Sequence, residues 1–343
     1  TALLLIGFGI QDSILPIVDK QSEQLTHNDM TIVLSDEKAL TMEQGLADTL
    51  DSSSAVRSWG AFYTKSTTLY NEEGGSADVS IVGAEDDARM TEYFTFRTRV
   101  GHDPIPFEED SVILTEKTAL NLGLSVGDTF YVEAADGSRV QLTLTGIAEN
   151  YMFTRLYLSG AQLESLLGGT PEWNTVYGLT GCATEAEYNA LRTKLLGCNY
   201  VSSVSFTEDT TSMFGSLIGS LNYVVVLIIV CAAALAAVVL YNLISVNLAE
   251  RKKELATIKV LGFYDKEVYR YIFREIELLS LIGSGVGLLL GVPLHRFIIL
   301  TVEMDQLMFI RTIAPRSYLL AVALTMLFTV VVCFAMRRHV RHI

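Results

Sequence analysis

The sequence predicts a membrane α-helical bundle, with three full spans and the end of a fourth, and an inserted extracytoplasmic α+β domain. Apolar runs long enough to cross a bilayer occur after residue 220. Residues 1–220 hold 12 Lys and Arg against 31 Asp and Glu, whereas residues 221–343 hold 13 against 8. This asymmetry of charge and hydropathy indicates that the two parts of the chain lie in different environments.

The first predicted segment covers residues 1–28. Residues 1–10 are apolar but too short for a span, which needs about 20 residues in a helix. We interpret them as the outer end of a span that begins before this sequence. The alternative is an N-terminal strand or helix of the extracytoplasmic domain. Helical spacing from residue 11 to about 28 predicts a stalk that continues the first span.

Residues 29–207 form the predicted α+β domain. Strands and helices are intermixed without regular βαβ alternation, which is why we favour α+β over a doubly wound sheet. Asp136-Gly137 between two β-type runs predicts a hairpin. The other elements are strands at 78–83 and 111–114 and helices at 118–124 and 185–196.

Residues 208–343 form the predicted membrane domain, with spans at about 221–247, 276–299 and 318–336. Val224 to Leu240 is an unbroken run of seventeen apolar residues. Lys and Arg are concentrated between the second and third spans and after the last one, so the positive-inside bias places both segments in the cytoplasm. The C-terminus is then cytoplasmic, residues 29–207 lie outside it, and membrane lipids surround the spans.

Residues 250–262 predict a short amphipathic helix on the cytoplasmic side. Leu255, Ile258 and Leu261 recur at intervals of three and share one face. Gly262 can adopt the left-handed conformation that ends a helix. Glu254 and Lys259 complete the set of residues that we expect to dock on a cytoplasmic partner.

Gly283, Gly287 and Gly291 repeat at intervals of four along the third span. Small residues at this spacing let a neighbouring helix approach closely in a membrane, where van der Waals contacts drive association. The stripe predicts a helix-packing face. A mobile interface and static packing within one subunit are both open.

No pattern in the sequence predicts catalysis: the phosphate loop, HExxH and GxSxG motifs are all missing from it. We therefore expect a non-enzymatic chain with no cofactor, no metal site and no nucleic-acid partner. The acidic triplets at 85–87 and 108–110 lack calcium-loop spacing and are interpreted as solvated loops. Cys182 and Cys198 can pair if their domain is extracytoplasmic, and this question is open.

The membrane part resembles the FtsX-like permease family, the four-span permeases of MacB-type ABC transporters. The carrying residues are 247–262, Glu275 and the three glycines of the third span. Residues 29–207 resemble the MacB-type periplasmic core domain through short motifs at 111–116, 122–124, 126–129 and 145–147.

The resemblance implies a permease in the bacterial plasma membrane, driven by a separate cytoplasmic ABC ATPase that contacts Glu254, Leu255, Ile258, Lys259, Leu261 and Gly262. It also implies a second permease copy or repeat and stalks that transmit motion to the outer domain for export or extraction of a substrate. A homodimer and one half of a longer two-repeat permease are both open. The alternative from another class is a membrane-anchored receptor or sensor with an extracellular ligand-binding domain.

Overall fold

The computed structural model describes residues 1–134, 137–250 and 265–340. Two compact units divide the chain. The sheet unit consists of Pro16–Ser216 and Glu303–Met308, and the helical unit consists of Thr1–Leu15, Leu217–Val302 and Phe309–Ile343. The chain therefore passes from one unit to the other four times, and a short segment between two long helices returns to the sheet unit.

The sheet unit is built on one mixed sheet in which eight strands follow the order β10-β1-β9-β2-β3-β8-β4-β7 and the pair β5–β6 branches from β2. Most neighbours are antiparallel, but β3 with β8 and β4 with β7 are parallel. The strands are β1 (Met30–Leu34), β2 (Val56–Tyr70), β3 (Ser76–Ala84), β4 (Val112–Thr115), β5 (Thr129–Glu133), β6 (Arg139–Thr143), β7 (Gly146–Ala148), β8 (Arg155–Leu158), β9 (Thr175–Thr180) and β10 (Val201–Phe206).

Short helices connect the strands. The longest, α8, begins with a capping box in which Thr184 and Glu187 satisfy each other's backbone N–H groups. The helices of this unit are α2 (Pro16–Lys20), a π-helical turn (Gln21–Leu25), α3 (Lys38–Thr41), α4 (Leu46–Asp51), α5 (Asp87–Tyr93), α6 (Glu116–Leu122), α7 (Gly160–Leu167) and α8 (Glu185–Leu196).

Aromatic side chains fill the core beside the centre of the sheet. Phe62 on β2 meets Tyr93, Phe94 and Tyr177 edge to face, with ring centroids 4.7–6.2 Å apart. Separate aliphatic clusters lie around Phe130 and around Met30. Burial of large apolar surface of this kind is the main force that holds the sheet unit together.

The helical unit contains α1 (Ala2–Ile14), most of α9 (Thr207–Glu250), α10 (Asp265–Val302) and α11 (Pro315–Val340). Four helical stretches among the described residues are long and apolar enough to cross a membrane: Ala2–Leu25, Tyr223–Val246, Arg274–Val302 and Pro315–Phe334. The last three coincide closely with the spans predicted from the sequence.

The N-terminal stretch consists of successive helical elements. The sequence predicts an apolar segment followed by a helical stalk up to about residue 28, and the structure shows α1, α2 and a π-helical turn in succession up to Leu25. Pro16 opens α2, in agreement with the preference of proline for the first position of a helix. The predicted hairpin is confirmed, since β5 and β6 pair from Thr129↔Thr143 to Glu133↔Arg139.

Candidate functional site

The segment Glu303–Met308, which we call the return loop, joins α10 to α11 and packs within the sheet unit. It lies along residues 151–153, which we call the docking strip, and the two form an antiparallel bridge at Met152 and Leu307. Backbone hydrogen bonds flank the bridge, so the pairing is that of two short strands. They run from Met308 N to Tyr151 O (2.9 Å) and from Phe153 N to Gln306 O (3.0 Å).

A buried ion pair holds the start of the return loop. Lys117 Nζ on α6 lies 3.0 Å from Glu303 Oε2, and the two side chains are 13% and 2% exposed. A second polar contact joins Asn121 Nδ2 to Asp305 Oδ1 at 3.5 Å. Removing one member of a buried pair leaves an uncompensated charge, which makes this contact costly to break.

Gln21, in the π-helical turn, also forms hydrogen bonds with the docking strip. Its Oε1 accepts hydrogen bonds from the backbone N–H of Tyr151 (2.9 Å) and Met152 (3.2 Å). Its Nε2 donates to Asn150 Oδ1 at 2.8 Å. Asn150 in turn donates to the carbonyls of Met152 and Phe153. The first connection, which we define as residues 16–25, is where the chain enters the sheet unit. The buried amide of Gln21 therefore links the first connection to the docking strip, which pairs with the return loop.

A carboxylate network lies next to the strip. Glu149 is buried and accepts from Arg97 Nε at 2.6 Å and from the Tyr151 hydroxyl at 2.5 Å, while His102 Nδ1 lies 3.4 Å away. Burial, together with the hydrogen bond to Glu149, raises the pKa of Tyr151 well above that of an ordinary tyrosine. The phenol therefore stays protonated and keeps donating to Glu149 at physiological pH.

Hydroxyl groups join α1, α10 and α11 in the helical unit. The Thr1 side chain lies 3.0 Å from Ser284 Oγ and 2.9 Å from Thr325 Oγ1, so that it touches both long helices. Further along the same pair of helices, Ser280 and Thr329 are 2.7 Å apart. Interhelical hydrogen bonds of this type are typically worth about 0.6–2 kcal/mol in a membrane.

The glycines predicted from the sequence as a packing face fall into two environments. A Cβ at Gly287 would lie 3.0 Å from Thr1 Cβ, and one at Gly291 would lie 2.9 Å from Leu5 Cδ2. A Cβ at Gly283 would meet nothing within 4 Å among the described residues. The structure thus places Gly287 and Gly291 against α1 and leaves Gly283 open.

Asp12, on α1, makes polar contacts with residues at the start of α11. Its carboxylate accepts from Ala314 N at 3.0 Å and from the Ser317 hydroxyl, and it lies 3.3 Å from Arg316 Nη2. The first N–H groups of a helix lack intrahelical partners and favour a negative charge. Asp12 therefore places a negative charge near the N-terminus of α11, where it bonds to the residue before the helix and to a hydroxyl of its first turn.

His295 on α10 packs against Gly9 and Ser13 of α1, close to Asp12. Its Nε2 lies 3.2 Å from Ser13 Oγ, and its ring approaches so closely that a Cβ at Gly9 would fall 2.6 Å from Cδ2. Gly9 therefore has to lack a side chain for the histidine to fit. The three helices are held by specific polar contacts in addition to apolar packing.

The predicted partner-docking residues lie outside the described residues: Glu254, Leu255, Ile258, Lys259, Leu261 and Gly262. Cys182 and Cys198 are free thiols in the structure. Asp86 caps α5 through Ala88 N, and Asp87 accepts from Gly160 N, so part of the first acidic triplet is structural. No group of three or more potential metal ligands occurs within residues 1–134, 137–250 and 265–340.

The return loop, Gln21 and Lys117 were missed by sequence reasoning, because a short polar loop and a single amide carry no periodic signal. Asp12 offered a signal that was available: an ionisable residue beside an apolar stretch is costly unless it has a partner. That rule would have marked Asp12, but not the start of α11 as its partner.

Comparison with protein families places the C-terminal part of the chain. Residues 226–343 match the FtsX-like permease C-terminal model. The resemblance stated from the sequence is confirmed for these residues, which form an FtsX-like permease domain. A domain of this family is a transporter component rather than a catalytic one. A search of curated proteins gave no match.

Three solved structures have some similarity to this chain. The periplasmic region of MacB from Actinobacillus actinomycetemcomitans has 13% identity and a TM-score of 0.34, covering 58% of this chain and 97% of its own. The extracellular domain of YknZ, a noncanonic ABC-type transporter from Gram-positive bacteria, has 16% identity and a TM-score of 0.32. The match covers 52% of this chain and 99% of that domain. A domain of a putative permease protein from Porphyromonas gingivalis has 15% identity and a TM-score of 0.29. The match covers 49% of this chain and 83% of that domain.

Replacing Gly287 by Leu should separate α1 from α10, because the new side chain has to displace Thr1 and Ala2. We expect overpacking to lower the free energy of opening of α1 by about 1–3 kcal/mol. Hydrogen exchange of the α1 amides in the full chain measures this. Gly283→Leu is the matched control and should leave the exchange of α1 unchanged, and equal effects of the two substitutions would contradict the close-packing assignment.

Reversing one charge of the Lys117–Glu303 pair should free the return loop. Lys117→Glu and Glu303→Lys are each expected to cost about 3 kcal/mol, because each leaves like charges in a buried position. Exchange of the Met308 amide, which is bonded to Tyr151 O, reports the loss. The double variant Lys117→Glu with Glu303→Lys should recover part of the protection.

The exposed pair Lys38–Asp36 supplies the control for charge reversal, since solvent screens a surface pair and it contributes little to stability. Lys38→Glu should leave the Met308 amide as protected as in the native chain. If the double variant were no better protected than the singles, the ion pair would not be what holds the return loop.

Proposed function

We propose that this chain is the permease subunit of a MacB-type ABC transporter, which couples ATP hydrolysis on a separate cytoplasmic subunit to movement of the sheet unit. The family match of residues 226–343 supports the permease class. The substrate is exported or extracted by this movement rather than carried through a channel. The partners in this proposal are the ATPase, a second permease copy or repeat, and membrane lipids.

The observation that carries the proposal is the packing of the return loop within the sheet unit. A loop that only connected two spans would need no such contacts, yet this one has backbone pairing and a buried ion pair. Movement of α10 or α11 therefore pulls directly on chain that is part of the sheet unit. α1 and α9 provide two further covalent connections to the same unit.

Chain connectivity also supports an orientation. The return loop and residues 16–216 belong to one compact unit, so they lie on the same side of any membrane that the helices cross. The connection from α9 to α10 and the end of α11 then lie on the other side. Both are rich in Lys and Arg, and this favours the cytoplasm. The sheet unit is extracytoplasmic in this arrangement.

Thiol labelling in intact cells tests the orientation. In a background without the four native cysteines, a membrane-impermeant reagent should label Val100→Cys, which is on an exposed position of the sheet unit, and spare Lys266→Cys. Both should react after the membrane is permeabilised. Labelling of position 266 alone in intact cells would reverse the proposed topology.

The predicted helix at 250–262 is the proposed contact with the ATPase. Leu255→Asp or Leu261→Asp should reduce stimulation of the ATPase by at least about tenfold, because each buries a carboxylate in the apolar docking face. The measurements are the ATPase rate and the recovery of the complex by pull-down. Insertion and exchange protection of the sheet unit should be unchanged.

Val260→Asp is the matched control, since residue 260 lies on the opposite side of the same predicted helix. It introduces the same carboxylate and should leave most of the stimulation intact. If Leu255→Asp and Leu261→Asp alter neither the ATPase rate nor the pull-down, the loop is an anchor only. The receptor hypothesis would then gain over the transporter hypothesis.

A further inference from the structure

A cavity of about 220 Å³ lies within the sheet unit, where the first connection enters the unit and α9 leaves it. Its walls come from α2, the π-helical turn, β1, the docking strip, β8, β10 and the first residue of α9. Three of the lining residues are apolar: Val18, Met152 and Phe153. Most of the others are polar but uncharged, and Arg155 is the cation among them.

Asn28 is one polar group of this cavity with unmet bonding capacity. The residue is 7% exposed, and its Nδ2 donates to Thr31 Oγ1 at 3.1 Å. Its Oδ1 has no hydrogen-bond partner among the described residues. Buried polar atoms in proteins are nearly always paired, and an unpaired acceptor is costly. Oδ1 is therefore suited to receive a donor from a bound molecule.

Arg155 is the second such group. Its guanidinium contacts the Tyr157 hydroxyl at 3.5 Å and lies over the rings of Phe94 and Phe153, at 5.4 and 5.8 Å from their centroids. No carboxylate within 4 Å pairs with it in the described part of the chain. The other partly buried arginines of the sheet unit differ in this respect, since each pairs with Glu or Asp: Arg89, Arg97, Arg99 and Arg192.

We propose that this cavity binds a small molecule or chain end with an oxyanion, carboxylate or phosphate, that bonds to Arg155. A neighbouring N–H or O–H of the same ligand donates to Asn28. The planar guanidinium fork matches both kinds of oxyanion. The volume is below the range of about 300–1,000 Å³ that is typical for whole drug-sized ligands, so the site holds a small acid or the terminal group of a larger one.

The position of the cavity gives such a ligand influence over the rest of the sheet unit. Its wall includes Gln21, which bonds to the docking strip, and Phe153, whose N–H bonds to the return loop. Thr207, also in the wall, is the first residue of α9. A bound acid therefore touches two of the segments through which the chain connects the two units, and it also touches the docking strip, to which the return loop is hydrogen-bonded. The site stands on its own geometry and goes beyond the proposed function.

Calorimetric titration of the full chain in detergent micelles tests the site with matched probes. N-acetylglycine carries a carboxylate and an N–H, its methyl ester lacks the charge, and N-acetylsarcosine lacks the N–H. We expect N-acetylglycine to bind at least tenfold more tightly than the ester and severalfold more tightly than N-acetylsarcosine. Inorganic phosphate is titrated in parallel, and tighter binding of phosphate would assign the oxyanion to a phosphate-bearing ligand.

Two variants assign the binding to the named groups. Arg155→Gln should weaken binding of every anionic probe at least tenfold, and Asn28→Ala should remove the preference for N-acetylglycine over N-acetylsarcosine. Arg139→Gln is the matched control, since Arg139 stacks on Tyr70 at 3.8 Å elsewhere in the unit, and should bind as the native chain does.

Ser205→Tyr provides an independent variant, because it fills the cavity from an exposed position on β10 without removing a buried group. It should abolish binding even if Arg155→Gln folds poorly. The proposal is overturned if neither N-acetylglycine nor phosphate binds the native chain. It is equally overturned if binding survives both Arg155→Gln and Ser205→Tyr.

Discussion

The docking strip at residues 151–153 is the constraint on which the described architecture of the sheet unit depends. On one side Gln21 holds its backbone N–H groups, and on the other the return loop pairs with it. Tyr151 and Met152 are buried, so water does not satisfy their backbone polar groups and their hydrogen-bond partners are needed. The first connection and the return loop are thereby tied to the same few residues, although they are separated by nearly 300 positions in sequence.

The helices of the helical unit are held together by close packing and by polar contacts between them. Apolar contact alone gives helices in lipid little reason to associate, because lipid tails are as apolar as the side chains. The specific contacts here are a bare glycine surface at Gly287 and Gly291, hydroxyl pairs around Thr1, and Asp12 at the start of α11. α1 is the common element in these contacts. Its loss would remove partners from both α10 and α11 at once.

Charge has separate roles in the two units. In the sheet unit, buried carboxylates such as Glu149 and Glu303 have cationic partners and fix the strip and the loop. Arg155 is the contrasting case, since its guanidinium lies against aromatic rings without a carboxylate among the described residues. A partly buried charge without an ionic partner is costly, and proteins tolerate this cost where a ligand completes the pairing. The cavity beside Asn28 differs in this way from an ordinary surface cleft.

The sequence by itself determined the division into an acidic sheet-forming part and an apolar helical part, the three later apolar helices, the β5–β6 hairpin and the family of residues 226–343. These features follow from local signals: hydropathy, turn residues and a short motif. Tertiary structure decided the rest. Asp12 bonds near the start of α11, Lys117 pairs with Glu303, and Gln21 bonds to the docking strip; these partners are 130 to 305 positions apart in the sequence. Such pairs leave no periodic trace in one sequence, because a single polar residue is compatible with many partners until the backbone brings one of them within hydrogen-bonding distance.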